Sequence, residues 1–494
     1  MRKKTLAILF AVLLALAFLP ACQTIGGSGA GKTPPQVSDG GSETETGDGD
    51  ETDPPLGSRW NVAPTVTGEF YDDFGDKGFS SLDWSLVNYS WGGNGVSASN
   101  VFISRSRSVA DAEGATGGVA VLKSYGNYAA EPAKRRQGAC LISNHAYGPG
   151  KYEARMKVVP RFGPCSTAWT YYTNSTGGMN TAADIEYHEI DIECPAIGKG
   201  FNAWGGVAYE EYYIDSATGK TVNKSNAVTA ACDSPYNDGK WHVFGLEWRT
   251  DEANGDSAVV WYMDGKEVGS TTRNVPRYSC QLWIGAWFPD NSDDWLGTAD
   301  FDEAYMYVDW VRITEYADTA VMREPDLGGC LLASAASNLY SAPLPTNDYI
   351  TNGDFAQGGG NALTAWQGTG ASKAAAGGAV LQNGGKLEQV VSAQYNGYTF
   401  DLTVGAAAGA GGTLKVYAEY LNYVYPQRSN ANAKATERTV VGKSAELIFD
   451  SPSASSKTLR FTLESEDTVN NVRIVIEAAG ASGTVYKAEM RLAK

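Results

Sequence analysis

From about Trp60 onward, short runs of alternating apolar and polar residues follow one another, separated by Gly, Asn and Asp turns. Examples are Val101-Phe102-Ile103-Ser104, Val119-Ala120-Val121-Leu122 and Tyr152-Glu153-Ala154-Arg155-Met156-Lys157-Val158-Val159. A period of two puts successive side chains on opposite faces of a strand, and hardly any segment holds the period of a helix. The pattern predicts an antiparallel all-β sandwich, whose concave face would make a groove for an extended polymer. A second β-rich region opens at Thr351-Asn352-Gly353-Asp354-Phe355 and continues through Trp366 and Lys386-Leu387-Glu388-Gln389-Val390-Val391. At 494 residues the chain is too long for one ordinary domain. We divide it into 1–22, 23–57, a first sandwich at 58–316, a connector at 317–345 and a smaller second sandwich at 346–494.

The first 57 residues break the pattern. Arg2-Lys3-Lys4 followed by an apolar run from Leu6 to Leu19 predicts an export signal, too short to span a membrane. The run ends in Leu19-Pro20-Ala21-Cys22, which resembles a bacterial lipobox and implies lipidation at Cys22, with ordinary secretory cleavage as the alternative. The expected location is the cell envelope or surface, with the lipid as the only membrane contact. Residues 23–57 have almost no apolar content and are expected to form a tether. Gly26 to Thr33 matches the phosphate-loop spacing, but it runs into Pro34-Pro35 instead of lying between a strand and a helix, so we reject it. The net charge of −17 owes much to seven acids between Asp39 and Asp53, and no basic stripe offers itself to nucleic acid.

One stretch carries chemistry: Tyr187-His188-Glu189-Ile190-Asp191-Ile192-Glu193-Cys194. On a strand, Glu189, Asp191 and Glu193 share one face and the two isoleucines share the other. Like charges side by side repel, so the row does not serve stability. Two carboxylates flanking a glycosidic bond can cleave it, one attacking the anomeric carbon and the other protonating the leaving oxygen. The gap between them separates a retaining from an inverting reaction, and spacing along the chain does not fix it. The plainer readings are an acidic solvent-facing strand or a cation site.

The flanks weigh against those. Glu-Ile-Asp-Ile-Glu resembles the active-site motif of family 16 glycoside hydrolases. Tyr147-Gly148-Pro149-Gly150-Lys151-Tyr152-Glu153-Ala154-Arg155-Met156-Lys157, Trp169-Thr170-Tyr171, the segment from Trp241 to Trp248, the segment from Val260 to Lys266, and Trp295-Leu296-Gly297 with Val308-Asp309-Trp310-Val311 are similar to further segments of that family. The resemblance covers roughly residues 65–316, with an inserted stretch from Asn174 to Glu186 and an unusual Cys194-Pro195. It implies a concanavalin-like β-jelly-roll and a retaining reaction in which Glu189 is the nucleophile, Glu193 the acid/base and Asp191 the residue that tunes the pair. It implies β-glucan as substrate, mixed-linkage 1,3-1,4 first, with no catalytic cofactor. It also implies a structural calcium, with Asp309 at the matching acid. The second sandwich resembles a carbohydrate-binding module, with Tyr417, Tyr420, Tyr423 and Tyr425 as an aromatic cluster.

Sugar rings present apolar faces, so aromatics are the natural platforms. Trp169, Tyr171, Trp287 and Trp91 are the expected substrate contacts, and Trp283 shares parity with Trp287; Trp204, Asn94 and Asn202 are weaker candidates. His188 has the opposite parity to its neighbour Glu189 and is expected to point inward. Six cysteines besides Cys22 allow 15 full pairings, none of which the sequence selects. Their spacing suits no zinc site. A non-catalytic glycan-binding protein and a transglycosylase remain as rival readings.

Overall fold

In this computed structural model, the described residues are 60–75, 79, 83–90, 92–106, 114–173, 186–195, 202–214, 221–231, 236–272, 275–290, 296–317, 331–334, 339–343, 345–360, 362–392, 397–422, 438–463, 469 and 471–493. The export signal, Cys22, the tether, Trp91, Tyr423 and Tyr425 lie outside them.

The alternation turns directly into strands. In Gly150–Lys157, Tyr152, Ala154 and Met156 are buried while Lys151, Glu153 and Arg155 face outward. The first region contains β1 (Val66–Asp72), β2 (Trp84–Asn88), β3 (Val101–Ser106), β4 (Val119–Tyr125), β5 (Ala139–Tyr147), β6 (Gly150–Lys157), β7 (Cys165–Thr173), β8 (Glu186–Pro195) and β9 (Asn202–Ile214). It continues with β10 (Thr221–Ala231), β11 (His242–Asp251), β12 (Asp256–Met263), β13 (Lys266–Thr271), β14 (Cys280–Trp287), β15 (Glu303–Tyr316), β16 (Leu331–Ser334) and β17 (Leu339–Pro343).

These strands form two facing sheets. One runs β13-β12-β11-β6-β15-β4-β3-β17, with β1 also on β15; the other runs β10-β9-β8-β7-β14-β5-β2-β16. Between them lies one apolar core that includes Leu141, Ile190, Ile192, Trp248, Trp261, Ile284 and Val311. The sandwich is a β-jelly-roll of the concanavalin-like kind. Asp264 and Gly265 both have positive φ at the β12–β13 hairpin, the backbone that a two-residue turn needs to match strand twist. Residues 331–343, expected as connector, instead add an edge strand to each sheet: β16 pairs with β2, and β17 runs parallel to β3. Runs of four or five residues are too short to show a period, which is why the sequence left them as linker.

The second region contains β18 (Gln367–Lys373), β19 (Ala379–Ser392), β20 (Thr399–Ala408), β21 (Thr413–Asn422), β22 (Thr439–Lys443), β23 (Leu447–Phe449), β24 (Ser455–Thr462), β25 (Asn471–Ala479) and β26 (Gly483–Leu492). Its order is β22-β21-β25-β19-β26-β20-β24 around a separate core that includes Leu381, Phe400, Val416, Ile474 and Met490. The smaller C-terminal β-sandwich is therefore present. Its opening Asn352-Gly353-Asp354-Phe355 is a turn and not a strand: the Asn352 carbonyl accepts the Phe355 N–H, and Phe355 packs on Trp366.

Candidate active site

The acid row lies on β8 near the middle of its sheet. β7 and β8 pair without a slip from Cys165 opposite Pro195 to Thr173 opposite Tyr187. Tyr171, Trp169 and Thr167 therefore stand directly across from Glu189, Asp191 and Glu193. β14 extends the rows: Gln281, Trp283, Gly285 and Trp287 stand across from Tyr171, Trp169, Thr167 and Cys165. Because side chains alternate, this one face collects the three acids and four aromatics. The opposite face sends Ile190, Ile192, Ala168, Tyr172, Leu282 and Ile284 into the core.

The aromatics form a layer of their own. Trp169 stacks on Trp283 at 5.4 Å between ring centroids, and Tyr171 meets Trp283 edge-on at 5.9 Å. Trp287 joins them in a small cluster with Cys140, Ile142 and Cys165. Trp91 is not described, but its neighbour Gly92 is. A Cβ on Gly92, whose φ is +55°, would sit 1.9 Å from the Phe288 carbonyl, so only glycine lets this turn close on the strand that ends at Trp287.

On the other side of β8 the register slips. Glu189 pairs with Tyr209 and Ile190 with Ala208, but Glu193 pairs with Trp204, so β9 spends one extra residue beside Asp191 and Ile192. Such bulges bend a strand and re-aim its side chains. At this point Trp261 reaches from the facing sheet and donates its indole N–H to the Asp191 carbonyl at 2.9 Å. The bond crosses the sandwich, so neither parity nor motif could reveal it. Trp283, by contrast, was readable from its parity with Trp287.

All three acids are buried: Glu189 is 1% exposed, Asp191 3% and Glu193 4%. Burial is the largest cause pushing the Asp191 carboxyl well above its usual range, followed by the charges of Glu189 and Glu193 and a hydrogen bond to Glu189. Burial and the two flanking glutamates thus favour the neutral form of Asp191. Its Oδ1 is buried with no hydrogen-bond partner.

The remaining candidates fall elsewhere. His188 is buried on the core side, where Nδ1 accepts the Arg277 N–H at 3.2 Å and the ring meets Tyr278 edge-on. The Asn94 side chain donates to the Arg135 carbonyl, joining two separate loops. Cys140, Cys165, Cys194 and Cys280 are buried thiols; Cys165 and Cys194 are on adjacent strands but opposite faces. Asp309 does not fit the expected calcium. It is fully buried, Oδ1 accepts from the Thr116 N–H at 2.7 Å and from the Thr116 hydroxyl, and Oδ2 pairs with the Arg155 guanidinium. A cation of the protein already takes that place, and among the described residues no group of three or more His, Cys, Asp or Glu could hold a metal ion. In the second sandwich, Tyr420 is in the core against Phe461. The Tyr417 ring is buried and one of its faces is capped by the Lys443 ammonium at 3.6 Å.

Cleaving a glycosidic bond calls for carboxyl groups beside aromatic platforms, and this face of the sheet carries both. Residues 110–312 match the model of Glycosyl hydrolases family 16. A beta-glucanase of Brevibacillus brevis is 30% identical over 182 residues, which are 35% of this chain and 59% of that protein. One of Paenibacillus macerans is 27% identical over 173 residues, 35% of this chain and 62% of that protein. The chain thus spans about three fifths of the length of these relatives. The solved Bacillus licheniformis beta-glucanase aligns over 51% of this chain and 100% of its own at 22% identity, with a TM-score of 0.35.

Proposed function

We propose that the protein is an endo-acting β-glucanase that cleaves with retention of anomeric configuration. The observation that carries this reading is the buried row of Glu189, Asp191 and Glu193 on a face shared with Trp169, Trp283 and Trp287. The beta-glucanase names of the relatives support the substrate class.

In the first step the Glu189 carboxylate attacks the anomeric carbon while Glu193 gives its proton to the departing glycosidic oxygen. The bond to the leaving sugar breaks as the glycosyl–Glu189 ester forms. In the second step Glu193 takes a proton from water, and the water oxygen displaces Glu189. Asp191, neutral and hydrogen-bonded to Glu189, keeps one nucleophile oxygen oriented and lowers the repulsion that three charges would generate. The aromatic floor holds successive sugar rings by their apolar faces. Mixed-linkage 1,3-1,4-glucan is the expected substrate, ahead of 1,3-glucan.

Reducing-end release from mixed-linkage glucan, laminarin, xyloglucan and agar, run beside Glu189→Gln, tests the reading. We expect release from mixed-linkage glucan, a loss of at least about a thousandfold in the variant, and β-configured new ends by proton NMR. No release from any polymer, or inverted ends, would sink it.

A further inference from the structure

The second sandwich is docked on the first at one particular end. β6 finishes, β7 begins, β8 finishes and β11 begins at the same end, which is the Glu193 end of the acid row. There, four consecutive residues ahead of β11 each make a different contact. The Tyr236 hydroxyl, buried in the core of the first sandwich, donates to the Pro195 carbonyl at 2.5 Å, two residues past Glu193. Asn237 accepts the hydroxyl of Tyr398 from the second sandwich at 3.3 Å. Asp238 accepts from His242 at 3.0 Å and from the Lys240 N–H at 2.9 Å. Gly239, with φ of +76°, lies under Leu492, which a Cβ would meet at 3.1 Å.

We propose that the C-terminal sandwich is a positioning element for the acid/base: through Tyr398 and Leu492 it fixes residues 236–239, and through Tyr236 these fix the Pro195 end of β8 and hence the approach of Glu193. The inference rests on the assignment of Glu193 as the acid that protonates the leaving oxygen. β7 pairs with this end of β8 through Cys165 opposite Pro195, but on its other side the pairing with β9 has slipped beyond Ile190. The Tyr236 bond to the Pro195 carbonyl is a further contact on the strand's end, made from the segment that leads into β11. Tyr236, Asn237 and Tyr398 are positioning residues under this reading; none is placed among the groups that meet the sugar.

The test uses the full-length chain and two substrates. Cleaving mixed-linkage glucan requires protonation of an alkoxide-like leaving oxygen, whereas a 2,4-dinitrophenyl β-glucan oligosaccharide releases a phenolate that needs none. Tyr398→Phe removes one hydroxyl from a half-buried ring. We expect it to lower kcat, and with it kcat/KM, on the polymer about threefold to tenfold, the size one hydrogen bond carries, with KM unchanged. The kcat/KM for the dinitrophenyl substrate, which reports only the first, acid-independent step and not the water attack that Glu193 also assists, should stay at the wild-type value. Tyr236→Phe should show the same split, and Tyr398→Phe added to it should cost nothing further, because both act along one path. Equal losses on both substrates, a change confined to KM, losses that multiply in the double variant, or wild-type rates would overturn the proposal. Wild-type activity lost in Glu189→Gln, alongside any of those results, would leave the assignment of the active site standing while removing this inference. Absence of wild-type activity on both substrates would remove the assignment, and the inference with it.

Discussion

Asp191 shows how far one side chain's behaviour departs from what its letter promises. An aspartate is ordinarily ionised at neutral pH, with a pKa near 3.9 in an unfolded chain. Here burial, reinforced by Glu189 and Glu193, raises the folded value well above that. The consequence for stability has a definite sign. Folding takes up a proton wherever the folded group is protonated and the unfolded group is not, so the stability present below about pH 4 is progressively lost as pH rises toward the folded value. Asparagine keeps a neutral hydrogen-bonding group of the same shape without that cost. Asp191→Asn is therefore expected to melt higher than wild type at pH 7, with the advantage vanishing near pH 4. Its activity should fall by less than that of Glu189→Gln, because the neutral donor to Glu189 remains. Scanning calorimetry across pH, beside polymer hydrolysis, checks both; an unchanged melting temperature at pH 7 would contradict a protonated Asp191.

At the scale of elements, much of the site was legible because a strand has a period of two. Glu189, Asp191 and Glu193 had to share a face, Ile190 and Ile192 had to share the other, and His188 had to follow them inward. Trp169, Tyr171 and Trp287 were readable by motif, but their assembly into one floor depends on β7 and β14 being neighbours, which only the fold supplies. Contacts between elements carried no local signal: the Trp261 bond to Asp191, the slip of β9, and Arg155 in the place given to calcium. His242 belongs to this class. It looked like a strand residue, yet its two ring nitrogens meet Asp238 at 3.0 Å and Asp264 at 2.7 Å, with Lys240 and the Phe244 ring also close. Burial opposes the charge, but the two hydrogen-bonded carboxylates outweigh it and raise its pKa to about 9. Since the folded value lies above the unfolded one near 6.5, its contribution is fully present below pH 6.5 and lost as pH rises through about 9. Solvent screening at Asp264, which is half exposed, limits it to about 1–2 kcal/mol. His242→Gln should melt below wild type at pH 6 and approach it by pH 10; a constant gap over that range would exclude the ionised form.

For the whole molecule, the sequence suggested two sandwiches joined by a connector. The structure joins them differently, because Arg161 is buried between them. Its guanidinium donates to the Asp348 carbonyl at 3.0 Å and to the Asp300 carbonyl at 2.9 Å. It also lies between the rings of Phe301 and Tyr349, at 5.2 and 5.1 Å. Tyr349 in turn donates its hydroxyl to the Pro160 carbonyl at 3.1 Å, and Thr351 reaches the Asp300 carbonyl. A buried cation costs free energy unless its donors are met; here two backbone carbonyls, one from each side, and two aromatic faces meet most of that need, while Nε is left without a partner. Neither sandwich alone offers that set, so the interface and the arginine stabilise each other. Arg161→Ala would leave the Asp300 and Asp348 carbonyls without this donor in a void between the two cores, a loss of about 2–4 kcal/mol. With so much removed from one interface, the two cores should uncouple. Wild type is expected to unfold in one calorimetric transition and Arg161→Ala in two, the lower of them shifted down by several degrees. Two transitions already present in wild type would mean that the sandwiches are merely tethered. In that case Tyr398 would have no leverage on Pro195, and the acid/base would have to be held from within its own sheet.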